Sequence, residues 1–203
     1  MALYSIYRNL KDRQYAYIGF DREEMREKFG RHPKNHIDVS FDAKPYKKTW
    51  QTVTVHFSNC DGMVGNTIPD IMEFQGHLFL SMAAYEVLKP IIENDGEFLP
   101  ITYEKGDAFI FNPLRLAEEV DGLNMEISCK NPINNIDIDC MAFHEERVKN
   151  FSIFKSEFDF NASIMCQQSV KDAIEKAGLG GVIFTPDLGN PFTTRMSEVS
   201  QTH

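Results

Sequence analysis

The sequence lacks the long apolar runs that would place the chain in a membrane. Across 203 residues, no apolar run approaches the roughly 20 residues that a membrane-spanning helix needs. The first 20 residues contain no basic segment followed by a long apolar block, so we expect no secretion signal. These two absences predict a cytoplasmic protein.

The common catalytic and nucleotide-binding signatures are also missing. The sequence contains no GxSxG, no GxxxxGK[ST], no HExxH and no GxGxxG. One glycine-rich run, Gly178-Leu179-Gly180-Gly181, follows a helical pattern instead of preceding one. We therefore expect it to end a helix, and not to cradle a phosphate.

Cysteine is sparse and widely spaced. The four cysteines form no CxxC pair and have no histidine nearby at ligand spacing, so we expect no zinc site. We also expect no cofactor. We interpret them as reduced and mostly buried thiols. They are Cys60, Cys129, Cys140 and Cys166.

Charge is unevenly distributed along the chain. Residues 1–50 carry eleven Lys or Arg against seven Asp or Glu, whereas residues 91–146 carry three against thirteen. An acidic middle segment disfavours nucleic acid as a direct ligand and would attract a basic protein partner. A solvated surface that only maintains solubility would have the same composition.

Two stretches share one pattern of strand, helix and strand. In residues 77–101, an apolar strand is followed by Ser81 at a helix N-cap position, and apolar residues then recur at three- and four-residue spacing. Pro90 predicts a kink or a helix that ends near Lys89. Residues 163–186 repeat this plan with an apolar strand, an amphipathic helix, glycines and a final strand.

The remaining elements are mostly strands. Alternating or apolar runs predict strands at the positions that follow, and a capped helix of two turns begins after Asp21. Between the strands, residues 42–50 predict a solvent-exposed loop whose Trp50 closes the core beneath it. The predicted strands are Leu3–Tyr7, Tyr15–Phe20, His36–Phe41, Thr52–Phe57, Asp107–Pro113, Leu123–Cys129, Ile136–Phe143 and Phe151–Phe154.

These patterns predict an α+β fold with a mixed or mostly antiparallel sheet, a few flanking helices and two strand-helix-strand units in the second half. Residues 58–70 are rich in turn formers and carry little hydrophobic periodicity. We therefore divide the chain into a strand-rich region 1–68, a domain 69–187 and a polar tail 188–203. Region 1–68 is either a subdomain or half of a continuous sheet.

A series of motifs runs through the second half of the chain. It consists of Leu78-Phe79-Leu80-Ser81, a helix, Glu97-Phe98-Leu99-Pro100, Phe109-Ile110-Phe111-Asn112-Pro113, Val120-Asp121-Gly122-Leu123-Asn124 with Glu126-Ile127-Ser128, a further strand and a helix ending Ala177-Gly178-Leu179, and Gly180-Gly181-Val182-Ile183-Phe184-Thr185-Pro186. With these motifs, residues 74–187 resemble immunity protein family 11 of bacterial polymorphic toxin systems, and residues 1–70 match it only loosely. Asn124 stands where that family usually has aspartate.

The resemblance implies a cytoplasmic antidote that is not an enzyme. Such a protein binds and neutralises a cognate toxin, typically the C-terminal domain of a large secreted effector encoded next door. It covers the active site of the toxin or locks its conformation. The acidic middle segment fits a basic partner independently, because carboxylates would compete for the surface that binds nucleic acid.

We expect the partner to bind the acidic set Glu118, Glu119, Asp121, Asp137, Asp139, Glu145 and Glu146. Two rival surfaces are the aromatic strand with Tyr15 and Tyr17, and the loop with Tyr46 and Trp50. An alternative function is that of a small hydrolase or transferase in which Cys140 is the nucleophile and His144 the base.

Overall fold

The computed structural model describes residues 2–10, 14–59, 65–131 and 138–188, with the side chain of Asp139 excepted. The helices are α1 (Arg22–Phe29), α2 (Met82–Ile92), α3 (Glu145–Val148) and α4 (Gln168–Lys176). The strands are β1 (Leu3–Arg8), β2 (Tyr17–Phe20), β3 (Val53–Ser58), β4 (Ile71–Phe74), β5 (His77–Ser81), β6 (Gly96–Tyr103), β7 (Gly106–Pro113), β8 (Cys129–Lys130), β9 (Ile138–Cys140), β10 (Ile153–Phe154), β11 (Ile164–Gln167) and β12 (Val182–Thr185).

The largest sheet has the strand order β2-β3-β6-β7-β5-β4. Every neighbouring pair in it is antiparallel except β3 and β6, which are parallel. Strands β5 and β6 both pair with β7, so the unit β5-α2-β6 places two parallel strands on either side of an antiparallel one. The α+β fold with mostly antiparallel sheets is thus confirmed.

The second sheet repeats this arrangement with a strand from the other end of the chain. Its order is β10-β11-β1-β12, and all its pairs are antiparallel. Strands β11 and β12 lie on either side of β1, just as β5 and β6 lie on either side of β7. Helix α4 connects β11 to β12, as α2 connects β5 to β6. The predicted pair of strand-helix-strand units is confirmed. The N-terminal strand β1 completes the second unit.

Helices α2 and α4 pack against each other and cover one face of both sheets. Leu88 and Ile92 of α2 share this core with Val170 and Ile174 of α4. Strand β5 is buried on both faces, since Leu78 and Leu80 point into this core and Phe79 points into a second one with Met25 of α1. Burial on both faces explains why β5 is a continuous apolar run in the sequence.

A glycine turn after α4 joins the two sheets. Gly180 accepts hydrogen bonds from the backbone N–H groups of Asp70 and Ile71, both at 3.1 Å, and donates its own to a carboxylate oxygen of Asp70 at 3.1 Å. Gly181 has φ +113°, and a Cβ there would lie 2.1 Å from the carbonyl oxygen of Ile71. The predicted role of this run in ending a helix is confirmed, because Gly178 takes the left-handed conformation after α4.

The predicted caps are confirmed at two helices. Asp21 accepts from the backbone N–H groups of Glu23 and Glu24 at the start of α1, and Ser81 accepts from Ala84 at the start of α2. The prediction of a helix that ends near Lys89 is wrong. Helix α2 includes Pro90 and continues to Ile92.

Three of the predicted strands are wrong in whole or in part. Residues 36–41 form no strand; Ile37 is buried, whereas Val39 is 53% exposed. The predicted strand 123–129 is reduced to a bridge between Leu123 and Phe143 and the start of β8. Within 136–143, the described part contains β9, which pairs with β8 in a short ribbon.

The sheets connect the N-terminal strands with the second half. Strand β3 pairs with β6, and β1 pairs with β11 and β12. No helix in the described part of the chain is long and apolar enough to span a membrane.

Candidate functional site

A third core cluster supports a surface rich in carboxylates. It lies against β1, β10 and β11 and contains Phe154 and Met165, with Ala117 and Val148 packed onto them. Ala117 begins a short 3-10 helix, Ala117–Val120, and Val148 ends α3. We call this 3-10 helix, the following Asp121 and α3 the acidic corner.

Backbone and side-chain contacts hold the two halves of the acidic corner together. The backbone N–H of His144 donates to the carbonyl of Gly122 at 2.7 Å, and the guanidinium of Arg147 donates to both the carbonyl and the carboxylate of Asp121. A Cβ at Gly122 would lie 2.4 Å from Val148, so only glycine permits this close approach. The carboxylates are therefore presented from a fixed base.

The acidic residues of this corner have different environments. Glu118 points inward, where one carboxylate oxygen accepts from the Ser156 hydroxyl at 2.6 Å and from the backbone N–H of Glu157 at 3.1 Å. Its other oxygen is buried. Glu118 is half-buried, and these contacts give its carboxylate a structural role, while its part in partner binding stays a prediction.

The other acidic residues of the corner face solvent. The side chains of Asp121 and Glu146 are 90% and 89% exposed, and Glu145 is exposed on the same short helix. Glu119 is partly exposed and accepts from the backbone N–H of Leu116 at 2.9 Å. Asp137 and the side chain of Asp139 lie outside the described residues.

Basic side chains neutralise part of this acidic set. Arg115 lies 3.4 Å from Glu119, Arg147 pairs with Asp121, and Lys149 lies 3.1 Å from Glu146. Exposed pairs of this kind are screened by solvent and contribute little to stability. Their effect is to lower the net negative charge of the corner below that expected from the sequence.

Apolar side chains are exposed a few residues beyond Asp121. Met125 is 66% exposed and Ile127 is 55% exposed. They lie in a turn fixed by hydrogen bonds from Asn124 and Ser128 to the carbonyl of Ala142. Exposed apolar groups with charged neighbours are typical of the surfaces through which proteins bind other proteins.

No protein-family model and no curated protein matches this sequence. The resemblance to immunity protein family 11 is therefore carried by the sequence motifs of residues 74–187 alone.

The rival aromatic surfaces are largely packed. Tyr46 is 4% exposed, and Trp50 stacks on Phe29 and donates to the carbonyl of Pro100 at 2.9 Å. The predicted closing of the core by Trp50 is confirmed, and loop 42–50 is mostly exposed as predicted, with Tyr46 as its buried residue. Tyr17 lies beneath the Arg8 guanidinium, and a Cβ at Gly180 would lie 2.5 Å from the Tyr15 hydroxyl.

The alternative catalytic pair, Cys140 and His144, stays a prediction. Within the described residues, no hydrogen bond joins Cys140 on β9 to His144, which precedes α3. In the same part of the chain, no three His, Cys, Asp or Glu side chains are grouped so that they could hold a metal ion. Of the described cysteines, Cys166 is buried, Cys140 is half-buried and Cys129 is exposed, so the prediction of mostly buried thiols is wrong for Cys129.

Sequence reasoning missed a row of buried polar side chains that crosses the large sheet. Glu97 on β6 pairs in register with Asn112 on β7, whose amide donates to the Glu97 carboxylate at 2.9 Å. His77 on β5 is also fully buried. It directly precedes Leu78, which pairs in register with Phe111 on β7. Burial and the nearby Lys155 charge lower the pKa of His77 well below its usual value.

This row holds the irregular segment 41–47 through its backbone. Glu97 accepts from the backbone N–H groups of Tyr46 and Lys47 at 2.5 and 3.0 Å. Asn112 donates to the carbonyl of Lys44 at 2.8 Å, and the ammonium group of the fully buried Lys155 donates to that of Phe41 at 3.1 Å. Side chains thus supply the hydrogen-bond partners that a neighbouring strand would otherwise provide for this backbone.

Lys155 is a strongly perturbed charge. Burial lowers its pKa from 10.5 to about 7, although the negative charges of Asp159 and Glu73 act in the opposite direction. Desolvation in turn raises the pKa of Glu73 to about 7. Perturbed groups occur in active sites and in structural networks alike. Here the contacts are with backbone groups of segment 41–47, which favours the structural role.

Proposed function

We propose that this protein is an immunity protein, which binds and neutralises a cognate bacterial toxin in the cytoplasm. The toxin is a basic domain encoded by the neighbouring gene, and binding covers its active site or locks its conformation. The protein acts by binding alone and needs no cofactor, membrane or nucleic acid.

The observation that carries this proposal is the acidic corner. It presents Asp121, Glu145 and Glu146 to solvent from a base that is packed into the third core cluster. A rigid surface loses little conformational entropy on binding, and carboxylates attract a basic partner over a distance of about one Debye length.

Met125 and Ile127 extend this surface with apolar contact area. Charged residues mainly set the rate and specificity of association, whereas buried apolar anchors slow dissociation. A surface with exposed carboxylates beside exposed apolar side chains provides both contributions.

Co-expression with the product of the neighbouring gene tests the proposal. The toxin alone should arrest growth, co-expression of this protein should restore it, and the two proteins should co-purify. Continued growth arrest together with separate elution of the two proteins would rule out an immunity function toward that toxin.

A further inference from the structure

Two cysteines face each other across the short ribbon beside the acidic corner. Cys129 on β8 and Cys140 on β9 are direct partners in an antiparallel register, and the register shifts by one residue at the next pair, Lys130 with Ile138. Directly opposed residues in such pairs have Cα atoms about 4.5 or 5.5 Å apart. Both spacings lie within the range of about 4.4–6.8 Å that disulfides require.

Both thiols are accessible to a reagent in solution. Cys129 is exposed and Cys140 is half-buried, whereas Cys166 lies wholly inside the core, where burial raises its pKa. The thiolate is the form that reacts with disulfides, so Cys166 is a poor competitor.

We propose that Cys129 and Cys140 are a modification site, at which low-molecular-weight disulfides such as glutathione disulfide form an intramolecular cross-link. One thiolate attacks the reagent, forms a mixed disulfide and releases one glutathione thiolate. The second thiolate attacks the protein sulfur of the mixed disulfide and releases the other. Two protein thiols are oxidised, two glutathione sulfurs are reduced, and the two protons pass to the released thiols.

The pairing of the strands favours the cross-link over two separate mixed disulfides. The second thiol is held opposite the first, so its attack is intramolecular and has a high effective concentration. The bond would fix β8 to β9 at the base of the turn that exposes Met125 and Ile127. This proposal does not depend on the toxin-binding function.

Trypsin permits a direct test on the full-length wild-type chain. Cleavage after Arg115, Lys130, Arg147, Lys155 and Lys171 places Cys129, Cys140 and Cys166 in separate peptides, with Cys60 in a fourth. The protein is treated with glutathione disulfide, blocked with an alkylating reagent and digested. We expect a linked peptide of residues 116–130 and 131–147, lighter by two hydrogens than the sum of the two peptides, and a monomer.

Matched variants complete the test. Cys129→Ser and Cys140→Ser should each leave the remaining thiol of the pair as a glutathione mixed disulfide, with no cross-link. The proposal is overturned if wild-type protein carries glutathione on either or both residues without the linked peptide, or if both residues are recovered fully alkylated.

Discussion

Adjacent glutamates at the acidic corner have different environments. Glu118 accepts hydrogen bonds from the Ser156 hydroxyl and the backbone N–H of Glu157, while Glu119 is partly exposed beside Arg115. The two residues look equivalent in the sequence because the partners of Glu118 lie almost 40 positions away. Sequence can therefore predict an acidic segment, but not which of its carboxylates is available to a partner.

Removal of the Glu118 carboxylate should destabilise the fold. Glu118→Ala leaves the Ser156 hydroxyl and a backbone N–H without their acceptor, at a cost of about 1–3 kcal/mol. Glu146→Ala, at an exposed position of the same corner where the only pair within the described residues is the exposed one with Lys149, should change the free energy of unfolding by less than about 0.5 kcal/mol. Urea unfolding of both variants measures the difference, and equal effects would contradict the assigned roles.

Lys155 should make the free energy of unfolding depend on pH in the alkaline range. Its pKa is about 7 in the fold and about 10.5 when unfolded, so the cost of burying the charge is complete below pH 7 and is relieved as the pH rises to 10.5. Relative to Lys155→Met, the wild-type free energy of unfolding should rise by up to about 1.4 kcal/mol per pH unit in this window.

Urea titrations at several pH values between 7 and 10 check this behaviour. Lys48→Met, at an exposed position, controls for the loss of a positive charge. Parallel pH profiles for wild type and Lys155→Met would show that Lys155 titrates normally in the fold.

At the scale of elements, helix α2 depends on Ser81 at its N-terminus. The Ser81 hydroxyl accepts from Ala84 at 3.3 Å and also lies 3.4 Å from a carboxylate oxygen of Asp70. Ser81→Ala should lower the free energy of unfolding by about 1 kcal/mol, measured by chemical denaturation. Ser169→Ala, at an exposed position inside α4, should have little effect; an equal loss in both variants would argue against the cap.

The elements that sequence predicted best are those buried in the shared core. Strand β5 and helices α2 and α4 have apolar patterns that agree with their burial. Residues 36–41 have an equally clear alternation, yet Ile37 is buried while Val39 and Phe41 are exposed. A strand would have buried all three on one face, but Glu97, Asn112 and Lys155 bind the backbone that follows.

At the scale of the whole molecule, β1 is the strand on which the second sheet depends. The two strand-helix-strand units were visible in the sequence, because each keeps its own apolar pattern. The sequence did not show that β7 lies between the strands of the first unit and β1 between those of the second. Pairing between strands some 160 residues apart leaves no local signal.

A fragment of residues 69–187 should therefore fail to fold alone. Without β1, strands β11 and β12 lose their shared partner and Ile6 no longer fills the core between α2 and α4. We expect no cooperative thermal transition by circular dichroism for the fragment, in contrast to the full-length chain. A cooperative transition near that of the full chain would show that this region is an independent domain.

The association rate with the cognate toxin tests the role of the acidic corner most directly. The variant Asp121→Lys/Glu145→Lys/Glu146→Lys is compared with Glu27→Lys/Glu86→Lys/Glu93→Lys, which makes the same change in net charge at exposed positions elsewhere. Glu118 is left unchanged because its reversal would disturb the fold.

Stopped-flow association at low ionic strength should show a rate constant at least about tenfold lower for the corner variant, with a weaker salt dependence, while the control variant changes far less. Equal rate constants for the two variants would place the toxin on another surface and contradict the central claim.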